Sequence, residues 1–205
     1  LASIDKNKKY HNSLIKADYV FFDSGFFVLL LLFFKQINVN KFSGFKFLKF
    51  FFNYLSKNKN QSVLCIDPNP RFSKSNKRYL NNLGIKKVYN YLAPIYNPND
   101  LSDKNLLKKI NKIKPNFIIT NIGGGTQEIL GLYLKQNLKF KTTILCTGGA
   151  ISFFTGDQEP INNLIDKLYL GWLVRIIFNP SIFLKRIIYG LKLAPMVLIN
   201  KVKVI

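Results

Sequence analysis

Three short segments of this 205-residue chain carry residue types that could do chemistry. The first is Gly123-Gly124-Gly125-Thr126-Gln127-Glu128, between an Ile- and Phe-rich run and a helical pattern. Glycines let a ligand approach the backbone, and a helix N-terminus offers N–H groups at the positive end of its dipole. A tight strand-to-helix turn, with Gln127 and Glu128 in the first helical turn, is the structural alternative. The segment is neither a full dinucleotide fingerprint nor a P-loop, because no Gly-Lys-Ser/Thr follows. The second segment, Gly148-Gly149, repeats the theme after the next apolar run, and again a simple turn is the plain alternative. The third is Asp23, inside Phe21-Phe22-Asp23-Ser24-Gly25-Phe26. A carboxylate beside apolar walls has a raised proton affinity and can act as a base. Its plainer role is to cap the helix that follows.

The elements that must position these residues alternate along the chain. Tyr19–Phe22 reads as a short β-like run ending at Asp23. Phe26–Phe34 reads as a helix, and Ser43-Gly44 opens another that reaches about Ser56. Ser62–Ile66 reads as a strand, and Asp67-Pro68-Asn69-Pro70 as a turn. A helix over Arg71–Leu83 stops at Gly84. Lys87–Asn90 is a short strand, and Tyr91–Asp100 a loop with two prolines. Ser102 is placed to cap a basic helix to Lys114. Pro115–Ile122 and Thr142–Cys146 are strands flanking a helix over Thr126–Gln136. The remainder reads as two or three helical pieces, one of them started by Pro180. This order predicts an α/β fold: a Rossmann-like, mostly parallel sheet with helices on both faces. Ligands of such sheets bind beyond the carboxyl ends of the strands, where all three segments are expected. Residues 1–166 are expected to form the core and residues 167–205 a basic amphipathic C-terminal appendage.

Composition bounds the partners. With 48% hydrophobic residues the chain can bury one real core. Thirty-one basic residues against ten acidic ones leave a formal charge of +21, which favours polyanions: nucleic acid, phosphates or an anionic membrane. Only Arg71, Arg78, Arg175 and Arg186 are arginines, and Lys, Asn, Ile and Phe are all abundant, so AT-rich coding is an alternative source of the charge. Residues 167–205 hold seven basic residues and no acid within very apolar sequence, the pattern of a membrane-facing element. The nine-residue apolar run Phe26–Phe34 is well short of the roughly 20 residues that span a bilayer. Cys65 and Cys146 lie inside apolar runs and are expected to be buried thiols of a reducing compartment, and His11 a surface residue. The chain opens on Leu1, from which a missing N-terminal piece is expected.

In this order the segments resemble the WecG/TagA/CpsF glycosyltransferase family. Ala17-Asp18-Tyr19-Val20-Phe21-Phe22-Asp23 parallels the family's Ala-Asp-x-Val-x-Pro-Asp-Gly, and Gly123 through Glu128 parallels Gly-x-Pro-x-Gln-Glu. Gly148-Gly149-Ala150, continued by Phe153 and Gly156, parallels its Gly-Gly-Ala segment. Leu170-Gly171-Trp172-Leu173-Val174-Arg175 parallels Leu-Glu-Trp-Leu-Tyr-Arg, and Asn179-Pro180 and Arg186 carry the register into the family's C-terminal appendage. The chain departs from the pattern at Phe22, Ser24, Lys41, Lys46, Gly125, Ser152, Pro160-Ile161-Asn162 and Gly171.

The resemblance implies a hexosyltransferase that moves an N-acetylmannosamine-type or other sugar from a UDP-sugar to a polyprenyl-diphosphate-linked acceptor in cell-envelope polysaccharide synthesis. It places Asp23 on the catalytic base. Gly123, Gly124, Gly125, Gln127, Glu128, Gly148 and Gly149 are then the donor-binding set. No Asp-x-Asp motif occurs, so no metal and no cofactor is expected, and the leaving diphosphate falls to Arg175 and Arg186. The expected partners are the two substrates and an anionic membrane surface on the cytoplasmic face, with no nucleic acid and with homo-oligomerisation left open. Three other readings remain: a catalytically impaired member of the family, a non-enzymatic basic module for anionic lipid or nucleic acid, or, on fold grounds alone, a nucleotide-dependent methyltransferase. In the second, Phe45-Lys46-Phe47-Leu48-Lys49-Phe50 would be a stacking platform rather than a buried helix with a basic fringe.

Overall fold

The computed structural model describes residue 4, residues 7–158, residue 188 and residues 190–199. These fall into two compact units. One takes Asn7–Asp18 and residues 44–158; the other holds Tyr19–Ser43 and residues 190–199.

The first unit is built on a four-stranded parallel sheet in the order β2-β1-β3-β4, with β1 Ser62–Asp67, β2 Lys87–Leu92, β3 Phe117–Thr120 and β4 Thr143–Cys146. Each central strand is a short apolar run, as a strand covered on both faces requires. β1 is buried along its whole length. The helices are α1 Lys8–Ile15, α3 Gly44–Lys57, α4 Pro70–Asn82, α5 Lys104–Ile113, α6 Thr126–Asn137 and the short α7 Ser152–Thr155, which follows a 3₁₀ turn at Gly148–Ile151.

Alternation along the strands sends the core to both faces. Val63, Cys65 and Ile119 pack with Leu48, Phe51, Phe52 and Leu55 of α3 and with Leu80 of α4. Leu64, Ile66 and Ile118 pack with Leu106 and Ile110 of α5 and with Leu130 and Leu134 of α6. The four buried α3 residues recur at the 3- and 4-residue spacing of one helix face. This segment therefore faces the core, although Phe50 remains exposed. The crossover through α4 uses one face and those through α5 and α6 the other, so the sheet reverses its winding between β1 and β3. That is the switch point at which such sheets open a crevice beyond the strand ends.

Helix starts follow side-chain chemistry. Asn69 caps α4 with Pro70 at its first turn, and Gly84 takes φ +87° just past its end. Asp103, not Ser102, caps α5: its carboxyl accepts Leu106 N–H at 2.8 Å. The same carboxyl is buried and accepts the hydroxyls of Tyr91 (2.9 Å) and Tyr96 (2.7 Å), partners that a single cap rule does not anticipate.

In the second unit α2 spans Gly25–Lys35 and α8 spans Leu193–Ile199, and Leu30 and Leu31 bury against Leu193 and Val197. Lys35 Nζ donates to the Leu198 carbonyl at 3.0 Å. Tyr19–Phe22 is not a strand: it is exposed irregular backbone, with Phe42 N–H donating to Phe22 C=O at 2.8 Å. Among the described residues its β-prone side chains join no ladder. Among the described residues no helix is long and apolar enough to cross a membrane.

Candidate active site

Two of the three expected segments meet at the carboxyl edge of the sheet. β3 runs into Asn121 and the glycine loop 123–125, and β4 runs into Thr147, Gly148 and Gly149. Neighbouring parallel strands bring the two loops together, with Thr120 level with Cys146. A Cβ added at Gly123, Gly124 or Gly125 would meet nothing within 4 Å, so this loop borders open space. Gly125 takes φ +88°, a conformation that a residue with a side chain rarely adopts.

Gln127 joins the loops. It is 6% exposed, and its Oε1 accepts the Gly148 N–H at 2.7 Å. Its Nε2 donates to Glu128 Oε1 at 2.9 Å and to the Cys146 carbonyl at 3.4 Å. Gly148 takes φ +56°, where a side chain is strained, and a Cβ there would sit in ordinary contact with the nitrogen and oxygen of that amide, at 3.5 and 3.6 Å. Thr147 Oγ1 is buried beside this turn and has no hydrogen-bond partner among the described residues.

Glu128 turns back on the loop, where Oε2 accepts the Gly125 N–H at 2.6 Å. One of the N–H groups at the start of α6 is thus already given to a carboxylate of the same chain. The field of Glu128 also reaches Tyr10 on α1, whose hydroxyl is pushed up to about 12, first by burial and then by this charge.

A carboxyl that the sequence pattern passed over lies at the centre of the same edge. Asp67, which opens the turn expected at Asp67-Pro68-Asn69-Pro70, is instead the last residue of β1. It is fully buried and accepts three side-chain amides: Asn76 (2.7 Å), Asn121 (2.7 Å) and Asn90 (2.9 Å). The available signal was an aspartate closing an apolar strand, but nothing local marks those three asparagines in an asparagine-rich chain.

Asp23 belongs to the second unit and is exposed. It does not end a strand, and it does not cap α2: Ser24 does, its Oγ accepting Phe27 N–H at 3.2 Å. The carboxyl is therefore not committed to the helix start. Exposed Tyr19, Val20, Phe21 and Phe22 precede it. Arg175 and Arg186, expected at the diphosphate, lie outside the described residues, as does most of the basic tail.

Cys65 is buried as expected, and its thiol is pushed well up by burial, then by the charge of Asp67. Cys146, expected to be buried, is exposed as a residue, on the outermost strand of the sheet among the described residues. Its sulfur nevertheless faces the protein, 3.4 Å from the Gln127 carbonyl and against Gly131, where a Cβ would come within 2.8 Å. His11 is exposed, as expected.

The sequence model of the glycosyl transferase WecG/TagA/CpsF family matches residues 1–204 of the 205. No curated protein matches the chain.

Proposed function

Because the chain belongs to the WecG/TagA/CpsF glycosyltransferase family, we propose that it transfers a hexose, N-acetylmannosamine or a relative, from a UDP-sugar to a polyprenyl-diphosphate-linked acceptor. The observation that supports a donor site at the sheet edge is the Gln127 bridge. One buried amide holds the open 123–125 loop and the Gly148-Gly149 turn in a single arrangement beside the switch point.

The electrostatics of that edge sort the donor's parts. Glu128 already takes one N–H at the start of α6 and brings negative charge to the loop. A carboxylate there repels a diphosphate but accepts hydrogen bonds from sugar or ribose hydroxyls. The loop is therefore read as facing the hydroxyl-bearing part of the donor. Neutralising the diphosphate is assigned to Arg175 and Arg186, whose planar guanidinium groups suit phosphate oxygens.

In the reaction, Asp23 takes the proton of the acceptor hydroxyl as its oxygen attacks the anomeric carbon. The bond from that carbon to the UDP oxygen breaks on the opposite face, so the centre inverts and UDP leaves with the bonding electron pair. No metal is assigned a step. The seven basic residues of the apolar tail are read as holding the enzyme to an anionic membrane, where a lipid-linked acceptor resides.

The test is transfer of radiolabelled hexose from a panel of UDP-sugars to a polyprenyl-diphosphate-sugar, by wild type and Asp23→Asn. Transfer by wild type and a loss of about 10²–10⁴-fold in the variant is expected, with an unchanged melting temperature because Asp23 is exposed. A variant within about twofold of wild type removes Asp23 from the chemistry, since a general base contributes far more. No transfer from any donor in the panel would instead favour the impaired or purely binding forms of this chain.

A further inference from the structure

The buried carboxyl at the end of β1 takes no part in the reaction described above. It is fully buried, so it can neither meet substrate nor act as a base. Its partners come from three further places: Asn76 from α4, Asn90 from β2, and Asn121 from the residue after β3. The main chain repeats the arrangement. The Asp67 carbonyl accepts Ala93 N–H just past β2, and the Ile66 carbonyl accepts Asn121 N–H, both at 2.9 Å.

As a stabilising device the cluster is poor. The Oδ1 atoms of Asn76, Asn90 and Asn121 are all buried without a hydrogen-bond partner among the described residues. Each unsatisfied acceptor carries a desolvation penalty, and a partly satisfied network is worse for stability than apolar packing. What four polar side chains give here and four leucines could not is directional geometry. Each amide must present its nitrogen to one carboxyl, and this sets the side chain and the backbone behind it. Asn121 is two residues before Gly123, and its backbone and side chain are both held by the last two residues of β1.

We infer that Asp67 is a positioning residue, which acts through Asn121 to fix where the 123–125 loop leaves β3 and so sets the donor-binding edge. The assignment of that edge to donor binding rests on the function proposed above; the control of the loop does not.

The cluster contains its own control. Asn121 and Asn76 each donate one 2.7 Å bond to the same atom, Asp67 Oδ1, but only Asn121 adjoins the glycine loop. Asn121→Ala and Asn76→Ala should both lower the melting temperature. Amide hydrogen exchange across residues 123–127 should rise about tenfold or more in Asn121→Ala, and stay within about twofold of wild type in Asn76→Ala. Calorimetry with UDP should show an affinity loss of about tenfold for Asn121→Ala alone. Should Asn121→Ala not fold, Asn121→Ser, a smaller truncation, is put through the same two measurements. Equal exchange in the Asn121 and Asn76 variants, or none above wild type, overturns the inference. Wild-type protein that binds no UDP yet shows the exchange contrast would sink the proposed donor site and leave the loop control standing.

Discussion

Replacing Gln127 by alanine tests whether one side chain holds both glycine loops. The residue is 6% exposed, so water is poorly placed to replace what is lost. Truncation removes the acceptor of the buried Gly148 N–H (2.7 Å) and the donor to Glu128 (2.9 Å). A buried donor left unsatisfied costs about 1–3 kcal/mol, and the lost bond to Glu128 adds about 1 kcal/mol. The sum, about 2–4 kcal/mol, corresponds to a melting temperature lower by about 5–15 °C in a chain of this size. Gln127→Glu separates the two halves of the bridge. It keeps an acceptor for Gly148 but loses the donor and sets a second carboxylate against Glu128. Two adjacent carboxylates resist ionising together, so the folded-state proton affinity rises. A pKa raised on folding means that the folded state binds more protons, and stability is then lost as pH rises through the carboxylate range. Urea denaturation of both variants at about pH 5 and about pH 7.5 reads both effects. A Gln127→Ala protein melting within about 2 °C of wild type would refute the bridge, because even the lowest estimate exceeds that shift. An equal deficit for Gln127→Glu at both pH values would show that the side chain does not face Glu128.

The glycine loop offers a paired test: Gly124→Ala meets open space at ordinary φ and should hold stability within about 0.5 kcal/mol while weakening UDP affinity, whereas Gly125→Ala, at φ +88°, should cost about 1–3 kcal/mol of stability. Unchanged UDP affinity in Gly124→Ala would mean that no ligand uses that space. Burial first, then the hydrogen bond to Asp103 and its charge, push Tyr91 up to about 12. The stability this phenol contributes is therefore complete below about pH 10 and lost as pH rises through 12. NMR titration of ring-labelled Tyr91 should show its pKa fall in Asp103→Asn without reaching the ordinary value, since burial persists, and an unmoved titration would refute the pairing. Whole protein should sediment with anionic vesicles, bind neutral ones more weakly and be released as salt rises. Equal binding to both vesicle types would discard the electrostatic half of that argument. Deleting the tail is a poorer test, because α8 covers Leu30 and Leu31 of α2 and its removal would uncover them.

Much of the fold was legible because its causes are local. The apolar runs of β1, β3 and β4, the 3- and 4-residue spacing of Leu48, Phe51, Phe52 and Leu55, and the glycine that ends α4 all act within a few residues. Their alternation is sufficient to predict a parallel sheet with two covered faces, and a parallel sheet puts the turns after β3 and β4 on one edge. The two glycine loops could be named as a candidate site on that basis alone. The β-like run expected over Tyr19–Phe22 is not a strand, because whether an apolar run becomes one depends on a neighbouring edge that its own residues do not supply. The same holds for Asp103, whose cap is a local feature and whose two tyrosines are not.

The interior beneath the candidate site was decided only in three dimensions. Asp67 finds its partners 9, 23 and 54 residues further along the chain, on a helix, within β2 and just past β3, places that become neighbours only when the sheet assembles in the order β2-β1-β3-β4. Gln127 likewise reaches Gly148 across 21 residues, because β3 and β4 lie side by side. Hydrophobic period and cap preference are properties of a segment, and the amino-acid sequence states them outright. A buried hydrogen bond is a property of two segments brought within 3 Å, and the chain acquires it only on folding.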